Sequence, residues 1–194
     1  MNCAECRQNP LNKCEHEGFD CTAGKLDISG YEIEKNIPFQ NTSDTLRKEH
    51  GNTLTRLEEI IEFSKKSGYN KLGLVFCIGL VDEARVISRI LKQHFRVASV
   101  CCKISGINKA KNNMVPYSDD DHIACNPIGQ ARMLNKMKTE LNVQMGLCVG
   151  HDILFQQYSD APVTVFAVKD RVLANNPLGV VYGSYLRDRF NIKN

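Results

Sequence analysis

No stretch of this sequence is apolar enough to cross a bilayer. The longest apolar run, Leu72 to Val81, is interrupted by two glycines and reaches about half the ~20 residues that a spanning helix requires. The opening Met-Asn-Cys-Ala-Glu-Cys lacks the basic start and apolar core of a secretion signal, so a cytoplasmic protein is expected. Lysine and arginine are spread along the chain and the formal net charge is only +3. Without a basic patch or stripe, nucleic acid is not the expected partner. Gly79, Gly146 and Gly150 form no G-x-G-x-x-G pattern, which removes support for a nucleotide site. Internal repeats and low-complexity tracts are also missing.

What remains is an ordinary globular composition, 42% hydrophobic and 24% charged over 194 residues, enough for one domain with an appendage. The unusual feature is sulfur. The chain holds nine cysteines. In a reducing compartment they are not expected to form structural disulfides, and an odd number cannot all pair. Metal ligation, reactivity and simple burial are the readings left.

Three zones are distinguishable. Residues 1–21 carry four cysteines and little that could build a core. Residues 22–51 are polar and weakly periodic, as a linker or arm would be. Residues 52–194 alternate helix and strand patterns. Leu54, Leu57, Ile60 and Ile61 share a helical face between Thr53 and Ser67, with Thr53 as a candidate cap. Lys71–Ile78, Arg96–Cys102, Val143–Val149 and Val163–Val168 read as four buried strands. Helices are predicted between them at Val81–His94, from Asn126-Pro127 through Leu134, Met137 and Leu141, and at His151–Tyr158. The expected fold class is α/β: a mainly parallel sheet of about four strands with helices on both faces, preceded by a short Cys-rich module. Residues 103–124 are irregular and polar, a length typical of functional or disordered loops.

In the first zone the spacing is Cys3-x2-Cys6-x7-Cys14-x6-Cys21. A C-x2-C pair grips one ion from a single turn, and two more thiolates close a tetrahedral shell or hold an iron–sulfur cluster. Metal would supply the folding free energy that so polar a segment lacks. The plain alternative is a tail with incidental cysteines. His16 is a substitute ligand or an exposed histidine.

In the third zone Cys77, Cys101, Cys102 and Cys148 terminate predicted strands, and Cys125 precedes a helix cap. Open α/β sheets bind ligands beyond the carboxyl ends of their strands, at the switch point, which falls between Cys77 and Cys148 if the order is 2-1-3-4. Adjacent strand residues face opposite ways, so one of Cys101 and Cys102 is expected at the site, with Cys102 favoured. Cys125 stands where a helix N-terminus stabilises thiolate. Each of these cysteines can equally be read as a small buried hydrophobe. His151 and Asp152 follow Cys148 directly and suit a ligand, an acid–base group or a capping turn. Lys169, Asp170 and Arg171 suit an anionic ligand or a solvated charge run. Asn126, Asn175 and Asn176 suit substrate orientation or turns.

Taken together, the stretches beginning at Lys71, Ser99, Cys125 and Gly146, with Ala161-Pro-Val-Thr and Val168-Lys-Asp-Arg-Val172, resemble the domain of unknown function 1847 family. The resemblance runs from about Thr55 to Tyr185, and the leading Cys cluster also looks like the family's start. That family is described as metal-binding in bacteria and archaea, with no assigned reaction. The resemblance implies metal binding through Cys77, Cys101, Cys102, Cys125 and Cys148, with His151 and Asp152 beside them.

The expectation is a protein holding zinc or an iron–sulfur cluster through Cys3, Cys6, Cys14 and Cys21 and through Cys77, Cys102, Cys125 and Cys148. Sulfur or redox chemistry on a small anionic molecule would follow from an open metal position. Two rivals stand beside it. One is a non-catalytic metal or redox sensor with structural zinc. The other is a metal-free thiol enzyme with Cys125 as nucleophile, His151 as its base and Asp152 adjacent.

Overall fold

The run Lys71–Phe76 is apolar on both sides of its pleat, so as a strand it must be covered on both faces. The structure, a computed structural model describing residues 3–6, 13–34, 36–116 and 118–191, provides that cover. The chain divides into two compact units, Met1–Thr45 and Leu46–Asn194.

In the second unit four strands, β1 (Lys71–Phe76), β2 (Arg96–Cys101), β3 (Leu141–Met145) and β4 (Val163–Ala167), form one parallel sheet in the order β2-β1-β3-β4. The chain reverses its winding between β1 and β3, so the switch point lies there. In chain order the helices are α1 (Lys13–His16), α2 (Ile37–His50), α3 (Arg56–Lys66), α4 (Val81–Leu91), α5 (Pro127–Lys136), α6 (Val149–Tyr158), α7 (Gly179–Tyr182) and α8 (Ser184–Asp188). On one face Leu72, Leu74, Phe76, Val143 and Met145 pack with Ile60 and Ile61 of α3 and Ala84, Ile87 and Leu91 of α4. On the other, Val75, Ala98 and Val100 pack with Ala131 and Leu134 of α5 and Phe155 of α6. Full burial of one such side chain contributes roughly 1.5–3 kcal/mol.

Several predicted boundaries shift. Thr55, not Thr53, caps α3, because Glu58 completes a reciprocal capping box with it. Helix α5 begins as expected, with Pro127 in its first turn and Asn126 accepting from Gly129 N at 2.7 Å. It does not continue to Leu141. Lys136 is its last residue, Lys138 has φ +54°, and Leu141 opens β3, where its side chain is buried. Residues 37–50, predicted as linker or arm, are helical. Only Leu46 of α2 is buried, which is why no apolar stripe announces the helix.

Among its described residues the 103–124 stretch has only two short 3-10 turns, Ile104–Gly106 and Ala110–Asn112, yet it is tied down. An isolated bridge pairs Asn108 with Ile123, Ala124 N donates to Ile107 O at 2.8 Å, and the buried Asp121 carboxylate is paired with Lys109. Among the described residues no helix is long and apolar enough to cross a membrane.

In the first unit the described residues include short helical turns at Cys3–Glu5, α1 and Ser29–Glu32. None of the described residues between 3 and 34 is buried.

Gly73 makes the sheet's tightest contact. A methyl group there would lie 2.0 Å from Asn142 Oδ1 and 2.9 Å from Leu134 Cδ1, and Asn142 is itself fully buried and hydrogen-bonded by Thr139 at 2.8 Å. Gly73→Ala is expected to cost about 3 kcal/mol through overpacking. Urea denaturation measures this, and an unchanged midpoint would contradict the packing described.

Candidate functional site: a thiol cluster at the strand ends

The ladder on both sides of β1 runs one residue past the strands. Cys102 N donates to Phe76 O at 3.0 Å, and Cys77 N donates to Met145 O at 3.2 Å. Phe76 and Cys101 are register partners, so Cys77 and Cys102 follow side by side. The chain returning from the long loop is anchored on the same spot, with Asn126 N donating to Cys102 O at 2.7 Å. That bond carries Cys125 to the cluster. Cys77 precedes the helical turn leading into α4, Cys125 precedes the cap of α5, and Cys148 is the residue before α6. Each of these sulfurs therefore stands near a helix start, where free N–H groups favour negative charge.

The sulfurs form a hydrogen-bonded row. The Cys125 thiol donates to Cys102 Sγ at 3.7 Å, and Cys102 donates to Cys77. Cys102, only 1% exposed, also accepts from Ile78 N at 3.3 Å. The hydrogen bond from Cys102, aided by Gly79 N–H and the Lys169 ammonium, draws the Cys77 thiol down to about 5 against the pull of burial. Cys102 is pushed far upward, because its proton is held against Cys77 and its sulfur is buried. At neutral pH the pair shares one proton, with the charge on Cys77. Cys101, one residue earlier, accepts from Lys103 N at 3.4 Å and touches the apolar core rather than this row.

Cys148 is separate from the row in its bonding, accepting from Arg171 Nη2 at 3.3 Å. Lys169 and Arg171 are aimed by the turn between them. Asp170 accepts from Val172 N at 2.9 Å and Leu173 N at 2.8 Å, while Asn175 Oδ1 accepts from Asp170 N at 3.1 Å. The charge run after β4 thus meets thiols: Lys169 bonds Cys77 and Arg171 bonds Cys148. Asn126 and Asn175 serve a cap and this turn, and Asn176 N closes a turn onto Leu173 O at 2.9 Å.

His151 is half-buried; burial, with Lys103 and Lys109 nearby, lowers its pKa and keeps the imidazole neutral. Among the described residues no hydrogen bond joins it to Cys125, whose sulfur bonds Cys102 instead. Burial raises the Asp152 carboxyl to about 6, although Gln144 hydrogen-bonds it. One Asp152 oxygen is buried without a partner among the described residues.

A residue that spacing did not reveal is Gln130 of α5. Fully buried, it donates from Nε2 to Phe76 O at 3.1 Å and to Val100 O at 2.8 Å. It clamps the ends of β1 and β2 directly beneath the row. The available signal was a polar residue next to Ala131 on the inward stripe of a helix.

Of the leading cysteines, Cys3, Cys14 and Cys21 are exposed and Cys6 is half-buried. Cys6 N donates to Cys3 O at 3.2 Å, closing the turn between that pair, and His16 is exposed. Most of the spacer between Cys6 and Cys14 lies outside the described residues. Among the described residues no group of three or more His, Cys, Asp or Glu side chains is arranged to hold one ion, in either cysteine set.

A family model described as "Protein of unknown function (DUF1847)" matches residues 20–166, and the chain belongs to that family. It is also similar to an uncharacterized protein of Methanocaldococcus jannaschii, 45% identical over 191 residues, which is 95% of each chain. No solved structure is matched. The family match takes in Cys21 and every cysteine of the strand-end site, with His151 and Asp152. Cys3, Cys6 and Cys14 precede it, and Lys169 and Arg171 follow it.

Because Cys102 is the largest influence on Cys77, alkylation of Cys77 by iodoacetamide should reach half its maximal rate near pH 5, not near the ordinary thiol value of about 8.5. Cys102→Ala should return the midpoint toward that ordinary value. Peptide-mapped alkylation rates check this, and a midpoint above pH 8 in the unaltered protein would refute the charge assignment.

Proposed function

We propose that the strand-end cysteines form a thiolate centre for a soft metal ion. Cys77, Cys102 and Cys125 would hold the ion, with Cys148 completing the shell. The observation that carries this reading is the 3.7 Å contact between Cys125 and Cys102 sulfurs, with Cys77 beside Cys102 at the end of the neighbouring strand. Thiolates on one tetrahedral zinc lie about 2.3 Å from it and so roughly 3.7 Å from one another, whereas a cluster spreads its ligands wider. The contact therefore favours a single ion such as zinc over an iron–sulfur cluster. The donor chemistry fits as well: all four groups are sulfur, one is already charged, and an ion would take the place of the protons on Cys102 and Cys125.

Cys148 gives the site two settings. Turned to Arg171, as it stands, it leaves an ion with three protein ligands. Released from Arg171, it closes the shell. When bound with three ligands, zinc supplies Lewis acidity at its open position. Around that position the chain offers the ammonium of Lys169, the guanidinium of Arg171 and the neutral imidazole of His151, which suit a small anion. For the leading segment we propose a structural site of Cys3, Cys6, Cys14 and Cys21. Support comes from the lack of any buried residue among those described between 3 and 34, since such a segment needs a metal to order it.

Anaerobic purification followed by zinc, iron and sulfide analysis tests both sites. Zinc at two equivalents per chain is expected. One equivalent should be lost in Cys102→Ala and in Cys77→Ala, and the other in Cys3→Ala. Iron with acid-labile sulfide lost on Cys77→Ala would replace zinc by a cluster. A metal content untouched by the Cys77, Cys102 and Cys125 substitutions would overturn the strand-end centre.

A further inference from the structure

The row of sulfurs has an outer and an inner end. Cys77 is half-buried, while Cys102 beside it is sealed from solvent. Gly79 borders both groups: a methyl group there would be in ordinary contact with the Cys77 sulfur at 3.9 Å and with Lys169 Nζ at 3.6 Å. An oxidant arriving from solvent therefore meets Cys77 before Cys102, with the Lys169 ammonium close to the same side of Gly79 as that sulfur.

The two residues are also placed for a bond. They extend the parallel register of Phe76 and Cys101 by one step, and Cys102 N to Phe76 O at 3.0 Å keeps the backbones at ladder spacing. Ladder spacing is about 4.8 Å, within the ~4.4–6.8 Å Cα separation that disulfides span. We propose that, in the metal-free domain, Cys77 is a site of oxidation by hydroperoxides and Cys102 resolves the product into a reversible disulfide.

The Cys77 sulfur attacks the distal oxygen of a hydroperoxide; an S–O bond forms, the O–O bond breaks, and sulfur is oxidised by two electrons to the sulfenic acid. The departing alkoxide or hydroxide takes a proton from Lys169, which solvent restores. Cys102 then attacks the oxidised sulfur, the S–S bond forms, the S–O bond breaks, and the hydroxide leaves as water with the Cys102 proton. A dithiol reductant returns the pair to thiols by exchange. Cys125, 3.7 Å from Cys102, is positioned to accept the bridge from Cys77 during that exchange.

This inference does not rest on the metal proposal, since the reaction belongs to the ion-free sulfurs and the test removes metal first. Full-length protein is stripped with chelator under nitrogen and given one equivalent of hydrogen peroxide. The expected result is loss of two thiols, a crosslink joining the tryptic peptides that contain Cys77 and Cys102, and full reversal by dithiothreitol. Cys102→Ala should stop at a sulfenic acid on Cys77 that dimedone traps. Cys102→Ser gives the same readout if the alanine variant folds poorly. Cys77→Ala should slow peroxide consumption at this site at least tenfold, and Cys101→Ala should leave it unchanged. A Cys102–Cys125 bridge formed at full rate in Cys77→Ala, or oxidation confined to the four leading cysteines, would overturn it.

Discussion

The pair of hydrogen bonds that prolongs the sheet by one residue, Cys102 N to Phe76 O and Cys77 N to Met145 O, governs everything else at the strand ends. A parallel sheet delivers all its carboxyl ends to one rim, and ligands gather there because the covering helices diverge at the switch point. Ordinarily the backbone fans out as soon as the strands end. Here β1 is still paired on both sides at Cys77, so the side chains of Cys77 and Cys102 remain at ladder distance after regular strand has ceased. The Asn126 N to Cys102 O bond then brings a third stretch of chain onto the same carbonyl edge. Gln130 reinforces the rim from below by bridging the last carbonyl of β1, Phe76, and the next-to-last of β2, Val100. The sulfurs meet because the backbone is held there; the thiol contacts themselves are too weak to do the holding.

Bringing thiols together carries an electrostatic consequence. A row of three sulfurs in a half-buried place cannot ionise freely, since each new thiolate repels the last and loses solvation. The protein settles this by unequal treatment. Cys77 receives the N–H of Gly79, the ammonium of Lys169 and the proton of Cys102, and takes the charge. Cys102 receives burial and a charged neighbour, and keeps its proton. Cys148 has its own cation in Arg171. Lys169 and Arg171 flank the Asp170 turn, whose Asp170 and Asn175 side chains hold the cations in place. A three-residue charge run that would be dissolved in water on a typical surface is here the counter-charge of two sulfurs.

Much of this was legible beforehand, for definite reasons. Strand β1, buried on both faces, reads as an unbroken apolar run, and the shorter β-rich runs of the edge strands β2 and β4 also place them within a residue or two, so the α/β class followed from their alternation with amphipathic helices. The failures have equally physical causes. Leu141 was drawn into α5 because Leu134, Met137 and Leu141 continue a helical stripe; Lys138, with its positive φ, breaks the helix without glycine or proline to announce it. Helix α2 was missed because it buries a single residue, and periodicity can report only what is buried. Cys148, read as the end of the third strand, lies past β3, which stops at Met145, and directly precedes α6, whereas the end-of-strand placement of Cys77 and Cys102 was readable from strand length alone. Which sulfurs touch was not. That depends on the Asn126 anchor and the Asp170 turn, both of which are side-chain and backbone geometry with no spacing signature. Gln130 was hidden for the opposite reason, as a polar residue in a stripe read for its apolar members.

Three occupants can satisfy the space between Cys77, Cys102 and Cys125: protons, a soft ion, or a sulfur–sulfur bond. Each removes the same difficulty, the crowding of polarizable and ionisable sulfur in a place of limited solvation. Protons do so by keeping two of three sulfurs neutral, an ion by neutralising them together, and a disulfide by abolishing two thiols outright. The three are mutually exclusive, because each uses the lone pairs that the others need. A centre that binds an ion through these sulfurs is therefore shielded from peroxide while loaded, and one that has formed the Cys77–Cys102 bridge has lost two of its ligands. The linkage between the proposed metal centre and the proposed oxidation is thus a property of shared atoms.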